Sequence, residues 1–374
     1  NEAFTKVSPA LADVIGAAQP KQQLASAAAA ALDELRQGEE PNAASRVVLG
    51  RLYVQLAASH GWFLGNTTGN YDEAEKAIAE AIRLYQSAAG KSPDDQLVLS
   101  LVKAEQLAGL IANGLLKPEQ AIEHHEKSLK WATQLGAQTT NSYFLHQSEL
   151  EKGWAKGNIG DVLCRMNPSE TVISNYFLPA LALCRKRGIT EQSTNILDLW
   201  DLKTWTDNLG VAYYRMGRFQ ESLPYLREAL DWIEAINKRL PHHAQYAGAL
   251  AVVRAEVGEV LVRLNQPEEG LRLLRDAAKQ ADDLAGRDPA NPGFTQIQIE
   301  VSWRSAAGFA ALADDSAISD GERRSRLEQA ETHRNRAQTL LTGLKSESLR
   351  RFLQADLKLA IDKATKAKTN LGLP

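Results

Sequence analysis

The sequence predicts an all-α chain, a superhelical solenoid of antiparallel helix pairs with about six hairpins and a capping helix at its C-terminal end. Three observations carry this expectation. Apolar residues recur at three- and four-residue steps through most of the chain, the signature of helices with one apolar face. Glycines mark equivalent places at intervals near 50 residues, and such a period belongs to stacked units that cannot bury both faces alone. The 374 residues, 44% hydrophobic and 24% charged, have globular composition but exceed what one compact helical core holds.

The stretch from Thr206 to Leu230 shows the unit most clearly. Leu209, Ala212, Tyr213 and Met216 form one stripe, and Leu223, Leu226, Leu230 and Ile233 form a second. Gly217 lies where the first stripe stops, and a glycine there takes the left-handed conformation that ends a helix. Gly210 and Ala229 are small residues on the inward faces, where their lack of bulk lets the two backbones approach.

Taken in order, residues 1–20 mix Pro9, Gly16 and Pro20 with short apolar pieces and read as a lead-in segment. An alanine-rich helix is expected from Lys21 to Gln37, ended by Gly38 and Pro41. A helix from about Ala43 runs to the GNTTGN break and pairs with YDEAEKAIAEAIRLYQ as the first hairpin. The second joins LVKAEQLAGLIANGLL to PEQAIEHHEKSLKWATQL, with Pro118 suited to a first helical turn. KGNIGDVLCRMN and the helix holding Phe177 to Arg187 make the third, and the Thr206 stretch the fourth. AEVGEVLVRLN with PEEGLRLLRDAAKQADDLAG, then VSWRSAAGFAALADD with LEQAETHRNRAQTLL, complete the series. Gly109, Gly160, Gly210, Gly258 and Gly308 are the markers, spaced 51, 50, 48 and 50 residues apart, with Trp62 47 before the first. The repeat domain thus spans 21–345. Residues 346–374 form the cap and tail, with Phe352, Leu353, Leu357, Ile361 and Ala364 on one side of a helix.

NLGVAYYRMGRFQESLPYLREAL closely resembles a tetratricopeptide repeat, with Leu209, Gly210, Tyr213, Gly217, Phe219, Ser222, Leu226 and Ala229 at the pattern positions. The resemblance implies a right-handed superhelix whose first helices line a concave groove. The usual repeat is about 34 residues, so units near 50 predict longer second helices and connectors. The first hairpin and the RDPANP connector at Arg287 to Pro292 resemble the long-period tetratricopeptide regions that follow the membrane span of bacterial serine/threonine kinases. That likeness implies an extracytoplasmic interaction region tethered by a preceding span, with a cytoplasmic placement as the alternative. The start at Asn1 fits a piece cut from a longer chain.

Catalytic chemistry has no motif behind it: H-E-x-x-H, paired C-x-x-C, G-x-S-x-G and phosphate-loop patterns are absent, and no cofactor is expected. A formal net charge of −3 gives no general attraction to nucleic acid, and no apolar run of membrane-spanning length occurs. His124 and His125 are adjacent on a helix, so they point roughly 100° apart and do not share an ion easily. His242 and His243 read as a polar connector. Cys164 and Cys184 face each other across one hairpin, and two buried free thiols are the plain expectation. Trp154, Trp205 and Trp303 read as packing residues.

The positional signal is basic. Arg165, Arg215 and Arg263 each stand five residues after a marker glycine and predict a ladder along stacked first helices. The tetratricopeptide resemblance implies that Asp161, Tyr214 and Glu259 share that face, and Asn158 and Asn208 recur in step with them. Arginine near a helix C-terminus also favours the helix dipole, which is the simpler account. Asp161 and Glu259 lie four residues before their arginines and pair with them, whereas Arg215 has Val211 there and is expected to stay free. The expected function is a non-catalytic scaffold offering this groove to a protein or peptide with acidic groups. A regulatory domain for a small ligand and a self-assembly module are the alternatives.

Overall fold

The computed structural model describes residues 42–61, 68–315 and 318–355, together with a few isolated positions before 42. Six hairpins follow one another. α1 (Ala43–Gly61) pairs with α2 (Tyr71–Ala89), α3 (Asp95–Gly114) with α4 (Pro118–Gln138), and α5 (Ser142–Met166) with α6 (Leu178–Arg185). α7 (Ile196–Arg215) pairs with α8 (Phe219–Arg239), α9 (Ala244–Arg263) with α10 (Pro267–Arg287), and α11 (Pro292–Ala313) with α12 (Asp320–Gly343). A last helix covers 347–355 within the described residues. Most of the helix expected at 21–37, with Trp62, Leu357, Ile361 and Ala364, lies outside them.

The corners inside the second, fourth and fifth hairpins obey one rule. Leu115–Lys117, Met216–Arg218 and Leu264–Gln266 each turn the chain in three residues, and the middle residue takes a positive φ: Leu116 59°, Gly217 76°, Asn265 58°. Glycine adopts this conformation freely at Gly217. Helix starts are fixed by side chains, with Asn70, Asp94, Asn141, Asn195, Asn291 and Ser319 each accepting a bond from the first turn.

Gly109, Gly160, Gly210 and Gly258 sit against the residue sixteen positions later, whereas a Cβ on Gly308 would lie 3.1 Å from Leu274 of the preceding hairpin. A Cβ on Gly210 would lie 2.7 Å from Leu226, one on Gly109 2.4 Å from the His125 ring, and one on Gly258 2.9 Å from the Gly270 carbonyl. Tyr176 and Phe177 close on Gly160 in the same way. In the fourth hairpin the Ser222 hydroxyl donates to the Gly210 carbonyl at 2.7 Å, which satisfies a buried oxygen at the crossing. The first four glycines therefore set close contacts that hold their hairpins in register.

Part of the long period comes from where the sequence predicts it, the second helices α4, α8 and α10 running to 21 residues each. Several connectors are short, such as Met216–Arg218 and the four residues between Arg239 and Ala244, though ten residues separate Arg185 from Ile196; first helices such as α5 and α7 begin more than two turns ahead of the visible stripes. The added length is helix on both sides of each hairpin. Hairpin three departs from its neighbours: its second arm enters through Glu170–Val172, passes a π-turn at Ile173–Phe177 and stops at Arg185, well short of α4, α8 and α10.

The solenoid is not open-ended. Leu341, Leu344, Leu349, Phe352 and Leu353 share one core cluster with Leu52, Tyr53, Leu56 and Tyr71 of the first hairpin. Ser346 donates to the Gly69 carbonyl and the Tyr71 amide donates to Ser348 at 3.3 Å. The cap expected at the C-terminal end thus seals both ends at once. At the other terminus Ile15 packs on the cluster of α9, α10 and α11, and Val14 bridges to His243.

Candidate functional site

First helices of successive hairpins meet through a belt of charged side chains. On α5, Asp161 accepts from Arg165 Nε at 3.1 Å. On α7, Arg215 Nη1 approaches the other oxygen of the same carboxylate at 3.6 Å. The expectation that Arg215 lacks a partner is therefore corrected. Its acid comes from the neighbouring hairpin, a pairing across repeats that spacing within one helix does not reveal. Burial opposes the charge on Asp161, but Arg165 and Arg215 outweigh it and hold the carboxyl below the usual range.

Farther along, the balance reverses. Glu259 of α9 is fully buried; it accepts from Arg263 Nε on its own helix at 2.9 Å and from the Tyr214 hydroxyl of α7 at 2.6 Å. Arg304 of α11 donates to Glu256 at 2.7 Å and lies 3.4 Å from Glu259 and 3.3 Å from Glu300. The guanidiniums of Arg263 and Arg304 also lie over the Tyr214 ring, 5.9 and 5.6 Å from its centre. Burial and the adjacent Asp207 push the Glu256 carboxyl well above its ordinary range. Asp207 itself accepts from Lys203 at 2.7 Å.

Arg165, Arg215 and Arg263 each meet an acid, Asp161 for the first two and Glu259 for the third. Arg304, Glu256, Glu300 and Asp207 complete the belt and escape the sequence reading, because Arg304 precedes its marker Gly308 by four residues instead of following by five. A signal was present: Glu300 and Arg304 repeat the four-residue acid–base spacing of Asp161–Arg165 and Glu259–Arg263. Asn158 is buried on α5, and its Nδ2 has no hydrogen-bond partner among the described residues. Asn208 takes the equivalent place on α7 and is half-buried.

Other candidates resolve as packing. His124 Nδ1 contacts Glu105 at 2.7 Å, while buried His125 is held down to about 4, by burial first and His124 second. His243 stacks on Tyr246 at 3.8 Å. Cys164 and Cys184 are both buried free thiols. Trp205 fills the space beside Gly157, against Trp154 at 4.8 Å. Where hairpin three is cut short, a cleft of about 70 Å³ opens among Leu150, Trp154, Leu183, Cys184, Arg187 and Asp201. Burial raises Asp201 there to about 6 against the pull of Arg187. Among the described residues no group of three His, Cys, Asp or Glu is placed to hold a metal, and no helix is long and apolar enough to cross a membrane.

This arrangement of side-by-side first helices can be set beside known proteins. Residues 204–243 match the tetratricopeptide repeat. The structure resembles BtubC (BKLC) from P. vanneervenii with a TM-score of 0.51 at 18% identity, covering 71% of this chain and 92% of that one. It resembles apo RapI with a TM-score of 0.51 at 12% identity, covering 84% and 91%. A Rap protein complexed with competence and sporulation factor aligns over 98% and 97% at 12% identity, with a TM-score of 0.45. A search of curated proteins gives no match. The fold is a tetratricopeptide-like helical-repeat solenoid.

Proposed function

We propose that the face lined by the first helices binds an extended peptide or protein segment and that this chain is a scaffold without catalysis of its own. Asn158 carries the reading. An amide donor buried without a partner costs roughly 1–3 kcal/mol, and a bound backbone carbonyl would remove that cost. Asn208, fifty residues on, offers a second carboxamide able to donate and accept at once. Neighbouring helices pack roughly 8–10 Å apart, close to three residues of extended chain at about 3.3 Å each. Arg165 and Arg215 meet on Asp161 beside these amides, and their guanidiniums favour a segment bearing a carboxylate.

Selection from a displayed random peptide library tests the reading. Selected peptides are expected to lose at least tenfold in affinity for Asn158→Ala combined with Asn208→Ala and nothing for Gln220→Ala on a second helix. Equal binding by all three proteins would overturn it. The proposal extends to an extracytoplasmic placement behind a kinase, supported by the resemblance of the first hairpin and the Arg287 to Pro292 connector; the segment encoded before Asn1 decides that part.

A further inference from the structure

Hairpin three uses as much chain as its neighbours but leaves part of it unwound. From Glu170 to Ile196 it matches, within one residue, the lengths from Phe219 to Ala244 and from Pro267 to Pro292. Its helix nevertheless stops at Arg185, and the chain turns away at Gly188, where φ is 64°. Arg239 of α8 donates to the Ser193 carbonyl at 2.6 Å and fixes that loop. No loop residue after Arg187 lines the cleft, which stays open beside the cut end of α6. Its walls are mostly apolar, from Leu150 and Trp154 of α5, Leu183 of α6 and Trp205 of α7. The space, about 70 Å³, is several times what one water needs, enough for a short alkyl chain.

The polar end of the cleft is acidic. Arg187 donates through Nη1 to Asp198 at 2.7 Å and through Nη2 to Asp201 at 2.8 Å, so one guanidinium serves two carboxylates. Its Nε is enclosed, out of a ligand's reach. Asp201 accepts one further bond, from Trp154 Nε1 at 3.1 Å, and keeps 10% of its side chain open. A carboxylate has about four acceptor sites, so Asp201 has capacity left. Nearby bases are engaged elsewhere: Lys152 with Glu149, Arg185 with Glu228 and Lys203 with Asp207. Glu151 of α5 has Lys103 only at 3.9 Å, and its carboxyl is raised by burial first, with Asp201 among the further causes. Acid therefore outweighs base around this cleft.

We propose that the cleft is a second binding site, which takes a short alkylammonium group with its stem along Leu150, Leu183 and Trp205 and its charge on Asp201. The ammonium supplies the cation that one arginine shared by two acids does not, and its bond to a carboxylate is charge-assisted. A neutral alcohol brings no charge, and a carboxylate is repelled. A free alkylamine and the lysine side chain of a partner share this chemistry. The proposal stands without the reading of the first-helix face, whose amides Asn158 and Asn208 do not line the cleft.

Indole resonances of the ¹⁵N-labelled protein test it. At pH 7, n-butylammonium is expected to shift the Trp154 Nε1 signal saturably, and 1-butanol and butyrate to bind at least tenfold more weakly. Equal binding of the alcohol would overturn the cation, and the absence of a saturable shift would overturn the site. Asp201→Asn keeps an acceptor for Trp154 and removes the charge, so it should weaken butylammonium at least tenfold. Gly153→Leu guards against a folding defect in that variant: a Cβ there would meet Leu183 at an ordinary 3.6 Å, and the added side chain should block the cleft with the melting temperature kept. Undiminished binding by either folded variant contradicts the proposal. Nα-acetyl-lysine methylamide separates the sources: binding as tight as that of butylammonium supports a partner's lysine, and weaker binding supports a free amine.

Discussion

Between α5 and α7 two guanidiniums share the one carboxylate of Asp161, whereas between α9 and α11 two guanidiniums are divided among Glu256, Glu259 and Glu300. The first pair of helices holds its arginines about one-quarter exposed; in the second, Arg263 is 22% exposed, Arg304 12%, and Glu259 fully enclosed. Equivalent positions of one repeat thus serve two ends. The acid-rich half is closed on itself and holds hairpins four, five and six together. The arginine-rich half brings Arg165 and Arg215 to Asp161 on the helix where the Asn158 amide lacks a partner among the described residues, and binding is therefore sought there.

The contrast breaks most visibly at Arg304. Arg304→Met takes from Glu256 the guanidinium that donates to it and leaves Glu259 to Arg263 and Tyr214, and removal of one partner from a buried ion network costs about 3–5 kcal/mol. Urea unfolding should show that loss at neutral pH.

Acid acts on the other half, through His125. Leu226 and Leu274 fill the same place against Gly210 and Gly258, so hairpin two alone among these three uses a titratable knob. Burial keeps this ring neutral down to about pH 4, while the unfolded chain takes up a proton near 6.5. Between those values the unfolded state binds more protons, so stability falls as pH falls, by roughly 3 kcal/mol across the window. His125→Leu should abolish that slope in unfolding curves recorded from pH 7 to 4. An unchanged slope would mean that the ring has a partner or escapes to water.

Glu256 behaves in the opposite sense. Its carboxyl keeps a proton in the fold that the unfolded chain releases above about 4.5, so stability declines as pH rises past that value. Glu256→Gln retains the acceptor for Arg304 and offers Asp207 a donor. A gain of about 1 kcal/mol at pH 7, vanishing near pH 4, is expected from differential denaturation. The smallest effect belongs to Arg215. Its loss leaves Asp161 paired with Arg165, so Arg215→Met should change stability by under about 1 kcal/mol while weakening acidic peptides.

The unequal legibility of fold and site follows from the range of the contacts. Helix periodicity, the Gly217 corner and the knob under Gly210 depend on residues within one hairpin, and all three are present as the spacing predicts. The Arg215–Asp161 contact joins residues 54 apart in different repeats, and no local pattern encodes it. Leu116 hides its corner for a related reason: the left-handed conformation that glycine advertises at 217 is imposed there on a leucine by the two helices it joins. Closure of the ends is farther still from local pattern, since Gly69 and Ser346 meet only because six hairpins wind back on themselves.

The central claim, that the arginine-rich half of the first-helix face is the one that receives a peptide, is most directly tested by site-specific photocross-linking. A photoreactive residue replaces Asn208, and in parallel Ala306, the corresponding position two residues before Gly308 on α11. With a library-selected peptide at low salt, the account predicts a covalent adduct from position 208 and none from 306. Adducts of equal yield from both positions, or an adduct from 306 alone, would contradict it.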